Sequence, residues 1–433
     1  MSGETIFALG TGAGRGAIAV IRLSGPLAAE TLRALAGRVP APRQATYVTL
    51  RDPASGEILD RGLALYFPAP ASATGEDYAE LHIHGGRATI EAILAALRAL
   101  PGLRPAEAGE FARRAFAGGK LDLSQVEALA DLIEAETTFQ RRQALRVAGG
   151  ALRRQAEAWR AAIIEAMALV EAELDFSDEG DVETLAPGRL TAMLAPIEAS
   201  MEKALAAAPA AERLRQGFTV MILGRPNAGK STLLNALAGR DMAIVSPTPG
   251  TTRDLIEAHL DIEGLPVTFI DTAGLREAED DIERIGVSRV LERAEGADLG
   301  LWLSDRGEPP PADSAAGLEM LCVWTKADLS APPRGGLAIS AARGDGLEAL
   351  LAEVGAHAKA RMGDGGSATL IRASHREAVD AARAALQEAR RETAPELAAE
   401  ALRRAAGAVG RLTGQVDVEE VLDSIFSRFC MGK

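Results

Sequence analysis

Residues 224–231 read GRPNAGKS, directly after the apolar run FTVMIL and directly before TLLNALAG. The octapeptide matches G-x-x-x-x-G-K-[ST], a loop whose glycines let backbone N–H groups approach phosphate oxygens. Because a strand-like run precedes it and a helix-like run follows it, the stretch predicts a phosphate-binding strand–loop–helix unit. Lys230 is predicted to reach the β- and γ-phosphates, and Ser231 to supply a hydroxyl to Mg²⁺.

Two further loops follow in the order typical of GTP hydrolases. Residues 251–254 read TTRD, and residues 271–274 read DTAG directly after the strand-like run PVTFI. Thr252 is predicted to ligate Mg²⁺, Asp271 to hold a metal-bound water, and the Gly274 N–H to face the γ-phosphate. The three loops together predict a nucleoside triphosphate hydrolase.

The choice of base depends on TKAD at residues 325–328 and SAA at residues 340–342. The Asp328 carboxylate can accept two hydrogen bonds from the edge of guanine, whereas adenine offers no matching pair of donors. GTP is therefore the predicted nucleotide. Thr325 stands where the common N-K-x-D pattern has Asn, so it keeps a hydroxyl but lacks the amide. Weaker guanine binding is expected, with specificity kept by Asp328.

The composition around these loops indicates a soluble, helix-rich protein. A chain of 433 residues is expected to hold about three domains. Its 47% apolar, 25% charged and 4% aromatic residues favour helices. Cys322 and Cys430 cannot build a disulfide framework, and the chain shows neither a secretory h-region nor a long apolar run, so a cytoplasmic location without membrane contact is expected. The net charge of −14 argues against broad nonspecific nucleic-acid binding but allows a local basic patch.

The hydrophobic pattern divides the chain into four segments. Residues 1–119 mix short strand-like runs with Gly and Pro turns and one helical run, which predicts an α+β domain. Residues 120–215 and 357–433 carry helical spacing, whereas residues 216–356 alternate strands and helices and predict a parallel α/β domain. The predicted fold is multidomain α+β, with the P-loop α/β domain inserted into a helical domain. Such an insertion is tolerated because domain termini usually lie close together.

Two local patterns refine this outline. Ser124 and Glu127 have the spacing of a capping box at the start of the helical domain. GTGAGRG at residues 10–16 departs from G-x-G-x-x-G and precedes a strand-like run, so a dinucleotide-binding site is rejected there.

Six short segments, spread from one end of the chain to the other, form a specific combination. They are Pro226-Asn227 in the P-loop, GTTRD at 250–254, DTAGLRE at 271–277, TGED at 74–77, GKLDL at 119–123 and the terminal FCMGK. The combination resembles the MnmE family, also called TrmE, the tRNA-modification GTPases. The resemblance implies a homodimer joined through the N-terminal domains and a G domain that dimerises when GTP and K⁺ are present. It also implies an FAD-containing partner, MnmG, in a heterotetramer or larger complex that modifies the wobble uridine of certain tRNAs.

The resemblance also implies how GTP is hydrolysed although Leu275 stands where a Ras-type GTPase has a water-orienting Gln. In the family a K⁺ ion replaces an arginine finger, and its ligands carry over to Asn227, Ser246, Thr248 and Thr251. Spacing alone does not choose among the acidic residues Glu277, Glu279, Asp280, Asp281 and Glu283, but the resemblance points to Glu283 as the residue that positions water. Three arginines remain candidate fingers: Arg225, Arg253 and Arg276.

The predicted site can be stated in full. The catalytic residues are Asn227, Lys230 and Glu283, and the Mg²⁺ ligands are Ser231 and Thr252. The nucleotide contacts are Asn227, Ala228, Gly229, Lys230, Ser231, Thr232, Ser246, Pro247, Thr248, Pro249, Gly250, Thr251, Thr252, Asp271, Thr272, Ala273, Gly274, Thr325, Lys326, Ala327, Asp328, Ser340, Ala341 and Ala342.

A second site is implied in the N-terminal domain. The resemblance places a tetrahydrofolate derivative, the 5-formyl or methylene form, against Arg22, Glu80 and Lys120, with Lys433 of the tail beside it. A glutamate can pair with the N–H face of a pterin ring, while Arg and Lys suit the anionic tail or the carbonyls of a folate. Cys430 could serve as a nucleophile or proton carrier only with a lowered pKa.

Histidines and arginines outside these sites have simpler interpretations. His82 and His84 would share one face of a strand, but a third metal ligand cannot be placed, so both are interpreted as structural. Arg146, Arg153 and Arg160 recur at seven-residue spacing and are interpreted as a solvated helix face, with tRNA contact as the alternative.

An alternative function is a regulatory RNA-binding GTPase of ribosome assembly. Such a protein is expected to carry an appended RNA-binding module or a basic tail, and the sequence shows neither. The modification enzyme is therefore the favoured hypothesis.

Overall fold

The computed structural model describes residues 3–12, 16–175, 188–240, 242–244, 257–271, 296–310, 317–330, 336–363 and 368–415. The chain divides into two compact units, one comprising Met1–Ala130, Ala148–Arg160 and Ala406–Lys433, the other Asp131–Val147 and Ala161–Ala405. The predicted helical segments are therefore divided between the two units. Within the described ranges, no helix has the length and apolar character needed to cross a membrane.

The first unit is built on a six-stranded sheet in the order β3-β4-β5-β2-β1-β6. Strands β1 and β6 pair in parallel, and the other neighbours pair antiparallel. The short strand-like runs predicted within residues 1–119 are confirmed. The strands are β1 (Thr5–Leu9), β2 (Ile18–Ser24), β3 (Thr46–Arg51), β4 (Ile58–Phe67), β5 (Tyr78–His84) and β6 (Leu103–Pro105).

The two faces of this sheet differ because side chains alternate along each strand. Ile21, Leu23 and Leu81 are buried in one apolar core with Leu32 and Ile93 of two helices. The opposite face carries polar side chains, among them those of the predicted folate site. The helices of this region are α1 (Ala28–Ala36), α2 (Arg87–Ala99) and α3 (Glu110–Ala117).

A capping box begins the next helix, α4 (Leu123–Glu134), but it is not the predicted one. The Gln125 N–H donates to Asp122 Oδ1 at 2.9 Å, and the Asp122 N–H donates to Gln125 Oε1 at 3.1 Å. These reciprocal bonds make Asp122 the N-cap. The prediction of Ser124 with Glu127 was wrong, because the Ser124 hydroxyl donates to Asp122 Oδ1 at 2.6 Å and Ser124 already lies inside the helix.

Long helices follow α4. They are α5 (Thr138–Ala148), α6 (Ala151–Asp175) and α7 (Arg189–Gln216). The helical spacing predicted within residues 120–215 is confirmed in α6, where Trp159, Ile163 and Val170 are buried on one side.

A second six-stranded sheet lies in the second unit, in the order β12-β11-β10-β7-β9-β8. All neighbours pair in parallel except the edge strand β8, which pairs antiparallel with β9. The predicted parallel α/β arrangement is confirmed, with one antiparallel edge added. Its elements are β7 (Phe218–Gly224), α8 (Lys230–Ala238), β8 (Glu257–Ile262), β9 (Leu265–Asp271), β10 (Leu299–Ser304), β11 (Met320–Trp324), β12 (Leu337–Ala338) and α9 (Leu347–Met362).

The helical chain resumes after this sheet with α10 (Ala373–Arg391) and α11 (Pro395–Arg411). Helix α10 packs on α7 through the ion pairs Arg376–Glu212 and Arg390–Glu198, each 3.1 Å long. The Arg215 Nε–H donates to the carbonyl of Ile371 at 3.0 Å. The chain therefore leaves α7 and returns to α10 at neighbouring points, as expected for an inserted domain.

Candidate functional site

The loop between β7 and α8 has backbone conformations that its sequence predicts. Gly224 has a φ of +151°, Asn227 of +63° and Gly229 of +97°. A Cβ atom at Gly224 would stand 2.6 Å from the carbonyl oxygen of Leu303, so no larger residue fits there. The loop can consequently turn tightly and direct backbone N–H groups of the α8 N-terminus to one point, which suits an anion.

Lys230, the first residue of α8, is folded back into this loop. Its Nζ donates to the carbonyl oxygens of Gly224 and Arg225, both at 3.1 Å, and the residue is only 9% exposed. The ammonium group is thus held where phosphate oxygens would meet the loop N–H groups.

Ser231 and Asp271 come together although they are 40 residues apart. The Ser231 hydroxyl donates to Asp271 Oδ2 at 2.8 Å, and Asp271 is 3% exposed at the end of β9. A hydroxyl and a carboxylate at one point are the hard oxygen groups that Mg²⁺ prefers. The two residues therefore fit the predicted ion, with Ser231 as ligand and Asp271 behind it.

Thr325 preserves the connection that the usual Asn would make between the base loop and the P-loop. Its hydroxyl donates to the carbonyl of Ala228 at 2.8 Å, and the residue is 4% exposed. Since that hydroxyl has one proton, it cannot also donate to a purine. The structure thus keeps the loop contact and leaves the Thr325 hydroxyl with no proton to donate to a base.

Asp328 is exposed, and its carboxylate is oriented by a neighbour. A hydrogen bond from the hydroxyl of the buried Ser340 lowers the pKa of Asp328. Ala341 and Ala342 follow in the same turn. An ionised, oriented carboxylate at this position can accept from the N–H groups of guanine.

Two acidic residues at this site were missed in the sequence. Asp305 Oδ2 lies 2.7 Å from Lys326 Nζ, and Glu308 Oε2 lies 2.9 Å from Arg225 Nε. Both follow the carboxyl end of β10, where ligand sites of parallel sheets form, and that position was the available signal. Arg225, one of the candidate arginine fingers, is thus ion-paired in this structure.

Two of the predicted folate residues, Arg22 and Glu80, lie on the polar face of the first sheet. Arg22 of β2 stands opposite Glu80 of β5, with Arg22 Nε 3.6 Å from Glu80 Oε1. A Cβ atom at Gly10 would come within 2.9 Å of Arg22 Nε, so glycine there makes room for the guanidinium. Glu80 also bonds His82 Nε2 at 3.0 Å and accepts from the Tyr78 hydroxyl at 3.3 Å.

The Lys120 side chain lies beside Gly75, in the loop that precedes β5. Ser24, two residues after Arg22 on β2, bonds the Thr74 hydroxyl at 2.7 Å. The next residue, Gly75, has Lys120 Cε 3.4 Å from the point where a Cβ would stand. The cationic and anionic groups present therefore fit a ligand such as a folate, with its amide-like ring edge and its anionic tail.

The two histidines are engaged as structural residues. His84 Nδ1 bonds Asp60 Oδ1 at 2.8 Å, and His82 bonds Glu80. Among the residues that the structure describes, no group of three His, Cys, Asp or Glu side chains could hold a metal ion.

The chain is similar to known proteins along its whole length. A family model described as "GTP-binding protein TrmE N-terminus" matches residues 5–120, and one described as "MnmE helical domain" matches residues 123–430. A tRNA modification GTPase MnmE of Beijerinckia indica subsp. indica is 53% identical over 99% of this chain and 96% of its own. That of Azorhizobium caulinodans is 52% identical over 100% of this chain and 99% of its own.

This chain belongs to the MnmE family of tRNA-modification GTPases. The solved G domain of the T. maritima FeoB iron transporter covers 33% of the chain at 23% identity with a TM-score of 0.23, which adds nothing to this assignment.

For an MnmE-family chain, the described part of the nucleotide site is coherent. The structure brings together Asn227, Lys230, Ser231, Asp271, Thr325 and Asp328, with Thr232 in the first turn of α8. The described ranges also hold Ala228, Gly229, Lys326, Ala327, Ser340, Ala341 and Ala342. The predicted residues that lie outside the described ranges are Ser246, Pro247, Thr248, Pro249, Gly250, Thr251, Thr252, Thr272, Ala273, Gly274, Glu283 and Lys433, together with Cys430, Arg253 and Arg276.

Proposed function

We propose that this chain is a K⁺-dependent GTPase whose hydrolysis drives a folate-dependent modification of tRNA. The modification adds an aminomethyl-type group, carboxymethylaminomethyl, to C5 of the wobble uridine of certain tRNAs. The chain acts in the cytoplasm as a homodimer, together with an FAD-containing partner of the MnmG type. One observation carries the proposal: Lys230, the Ser231–Asp271 contact and Asp328 form the phosphate, metal and base positions of one site in an MnmE-family chain.

The residues of this site divide the chemistry among themselves. Lys230 and the N–H groups at the start of α8 bind the β- and γ-phosphates and stabilise the charge that develops on them. Ser231 would hold Mg²⁺, which neutralises phosphate charge when bound. Asp328 selects guanine, and Glu283 positions the attacking water.

A monovalent cation is the remaining part of the proposal. Asn227 is exposed, has a positive φ and offers a neutral amide oxygen beside the phosphate loop. Neutral oxygens suit a monovalent cation, and the proposed remaining ligands, Ser246, Thr248 and Thr251, are of the same kind. The cation would supply positive charge near the γ-phosphate, where Leu275 offers none.

The first experiment compares GTP hydrolysis in K⁺ and in Na⁺. The expected result is fast turnover in K⁺ and slow turnover in Na⁺, with Asn227→Ala removing the difference and leaving GTP binding largely intact. Asn235→Ala is the matched control, because Asn235 is also exposed but lies on the last turns of α8. Equal rates of the wild type in the two salts would exclude the cation mechanism.

The second experiment tests the tRNA chemistry. Nucleoside mass spectrometry of tRNA from a deletion strain should show the loss of modified wobble uridine. Complementation by a chain lacking residues 430–433 should fail, while the same truncated protein keeps its K⁺-stimulated GTPase. Unchanged wobble uridine in the deletion strain would instead favour the ribosome-assembly function.

A further inference from the structure

The chain contains one strongly basic stretch that the nucleotide and folate sites do not use. Residues 137–156 hold no Asp or Glu, although the whole chain has a net charge of −14. The same stretch holds five arginines: Arg141, Arg142, Arg146, Arg153 and Arg154. The first three lie on α5, whose residues up to Val147 belong to the second unit.

Helix α5 presents its arginines on one side. Arg141, Arg142 and Arg146 are exposed, and between them Leu145 is 46% exposed. Positions 142 and 146, and likewise 141 and 145, are neighbours on a helix surface because they are four residues apart. The exposed side of α5 is therefore a compact surface of three guanidinium groups around one aliphatic side chain, called here the α5 arginine surface.

Two of these arginines differ from several arginines on α10 and α11. Arg376, Arg390 and Arg404 each lie within 3.1 Å of a glutamate. Within the described part of the chain, neither Arg141 nor Arg142 has a carboxylate partner; the Arg142 guanidinium lies 5.9 Å from the centroid of the Phe139 ring. Arg141 and Arg142 therefore add positive charge to this helix face without a carboxylate neighbour among the described residues.

The other side of α5 is anchored. Gln143, 3% exposed, donates from Nε2 to the carbonyl of Ala211 at 2.9 Å, and Gln140 donates to the carbonyl of Arg215 at 3.2 Å. The Phe139 N–H donates to the carbonyl of Gly264 at 3.3 Å. These bonds hold α5 against α7 and the β8–β9 turn, so the backbone that carries the arginines is already ordered before a partner binds.

We propose that the α5 arginine surface docks the phosphate backbone of tRNA, an inference that rests on the proposed function. Guanidinium groups bind phosphate oxygens in a bidentate manner and stack on aromatic or base faces, which an ammonium group does not do. An RNA backbone supplies a dense row of negative charges, which complements a cluster of guanidinium groups. Phosphate contacts of this kind set the position of the RNA and carry no sequence preference of their own.

The test is tRNA binding by the full-length triple variant Arg141→Gln, Arg142→Gln, Arg146→Gln at several salt concentrations. We expect affinity to fall at least tenfold at low salt. The slope of log K against log salt should become shallower by about 2, since each lost phosphate contact removes roughly 0.7–0.9. The matched control, Arg383→Gln, Arg403→Gln, Arg404→Gln, removes the same charge from ion-paired positions and should change affinity less than twofold.

Three results would overturn the proposal, and they can be told apart. If the wild type binds tRNA and the α5 variant matches the control, the α5 arginine surface is not the docking site. If the wild type binds no tRNA with or without its flavoprotein partner, the proposed function fails as well. If the variant loses the flavoprotein but keeps tRNA, the surface is a protein interface. Should the triple variant unfold, Arg141→Gln alone gives the same comparison with a proportionally smaller change in slope.

Discussion

The hydroxyl of Thr325 joins the base loop to the P-loop. In the common N-K-x-D pattern, an Asn carboxamide makes this connection. The bond from Thr325 Oγ1 to the carbonyl of Ala228 lies in a buried place, so an unpaired carbonyl there would cost about 1–3 kcal/mol. The Thr325 hydroxyl donates its one proton to the Ala228 carbonyl, so it has no donor left for the purine. On the proposed function, Thr325 therefore holds the base loop to the P-loop, and Asp328 provides the affinity for the guanine base.

Two substitutions at this residue test that separation. Thr325→Val keeps the shape and removes the hydroxyl, so it should raise the KM for GTP and lower the free energy of unfolding by about 1–3 kcal/mol. Thr325→Asn adds an amide that can serve both the loop and the base, and should lower the KM severalfold. Both KM values are measured in K⁺ alongside the wild type. A valine variant with unchanged KM would show that the Ala228 contact does not orient the base loop.

At the scale of elements, the buried carboxylate of Asp298 connects β10, β7 and α7. Asp298, directly before β10, exchanges backbone and side-chain bonds with Thr219 of β7, and its Oδ1 lies 3.1 Å from Arg213 Nε of α7. Burial nevertheless raises the pKa of Asp298, because desolvation outweighs the Thr219 N–H and the arginine. This junction fixes β10, whose carboxyl end supplies Asp305 and Glu308.

The raised pKa has a defined consequence for stability. The folded state keeps the Asp298 proton to higher pH than the unfolded chain, so the contribution of Asp298 to stability is present in acid and is lost as pH rises through the folded pKa. Asp298→Asn should therefore flatten the decline in unfolding free energy between acid and neutral pH. Urea unfolding at several pH values measures it. Asp305→Asn is the contrast, because Lys326 lowers the pKa of Asp305 and the sign reverses. Parallel curves for wild type and Asp298→Asn would contradict the assignment.

Sequence patterns predicted those elements whose signals are local. The P-loop, β5 and α6 follow from short motifs and from periods of two or 3.6 residues. The start of α4 was misplaced because D-x-x-Q at Asp122 and S-x-x-E at Ser124 overlap, and only the helix itself decides which pair caps it. The Arg225–Glu308 pair and the Gln143–Ala211 bond join residues far apart in sequence, which no local pattern registers.

At the scale of the molecule, the inserted α/β domain separates, along the sequence, two helices that pack against each other. Helix α7 packs against α10, yet Glu198 and Arg390 are 192 residues apart in the chain. The sheet β7–β12 and its core, by contrast, are complete once α9 has been made. The α/β domain can therefore fold before the α7–α10 pair, because all of its residues precede α10 in the sequence.

Because α7 and α10 are far apart in the sequence, α7 is synthesised well before the helix it packs against. At about 5–20 residues per second, a ribosome needs roughly 10–40 s to proceed from Glu198 to Arg390. For that time the apolar side of α7, including Leu194 and Met201, has emerged without its partner helix. Released fragments that end at residue 363 should resist protease in the α/β domain and be cut within α7, whereas fragments that end at residue 415 should be protected in both. If α7 is protected from protease in the shorter chains, a partner other than α10 covers its apolar side. Crosslinking at α7 in cells would then identify a chaperone that binds this helix before α10 has been made.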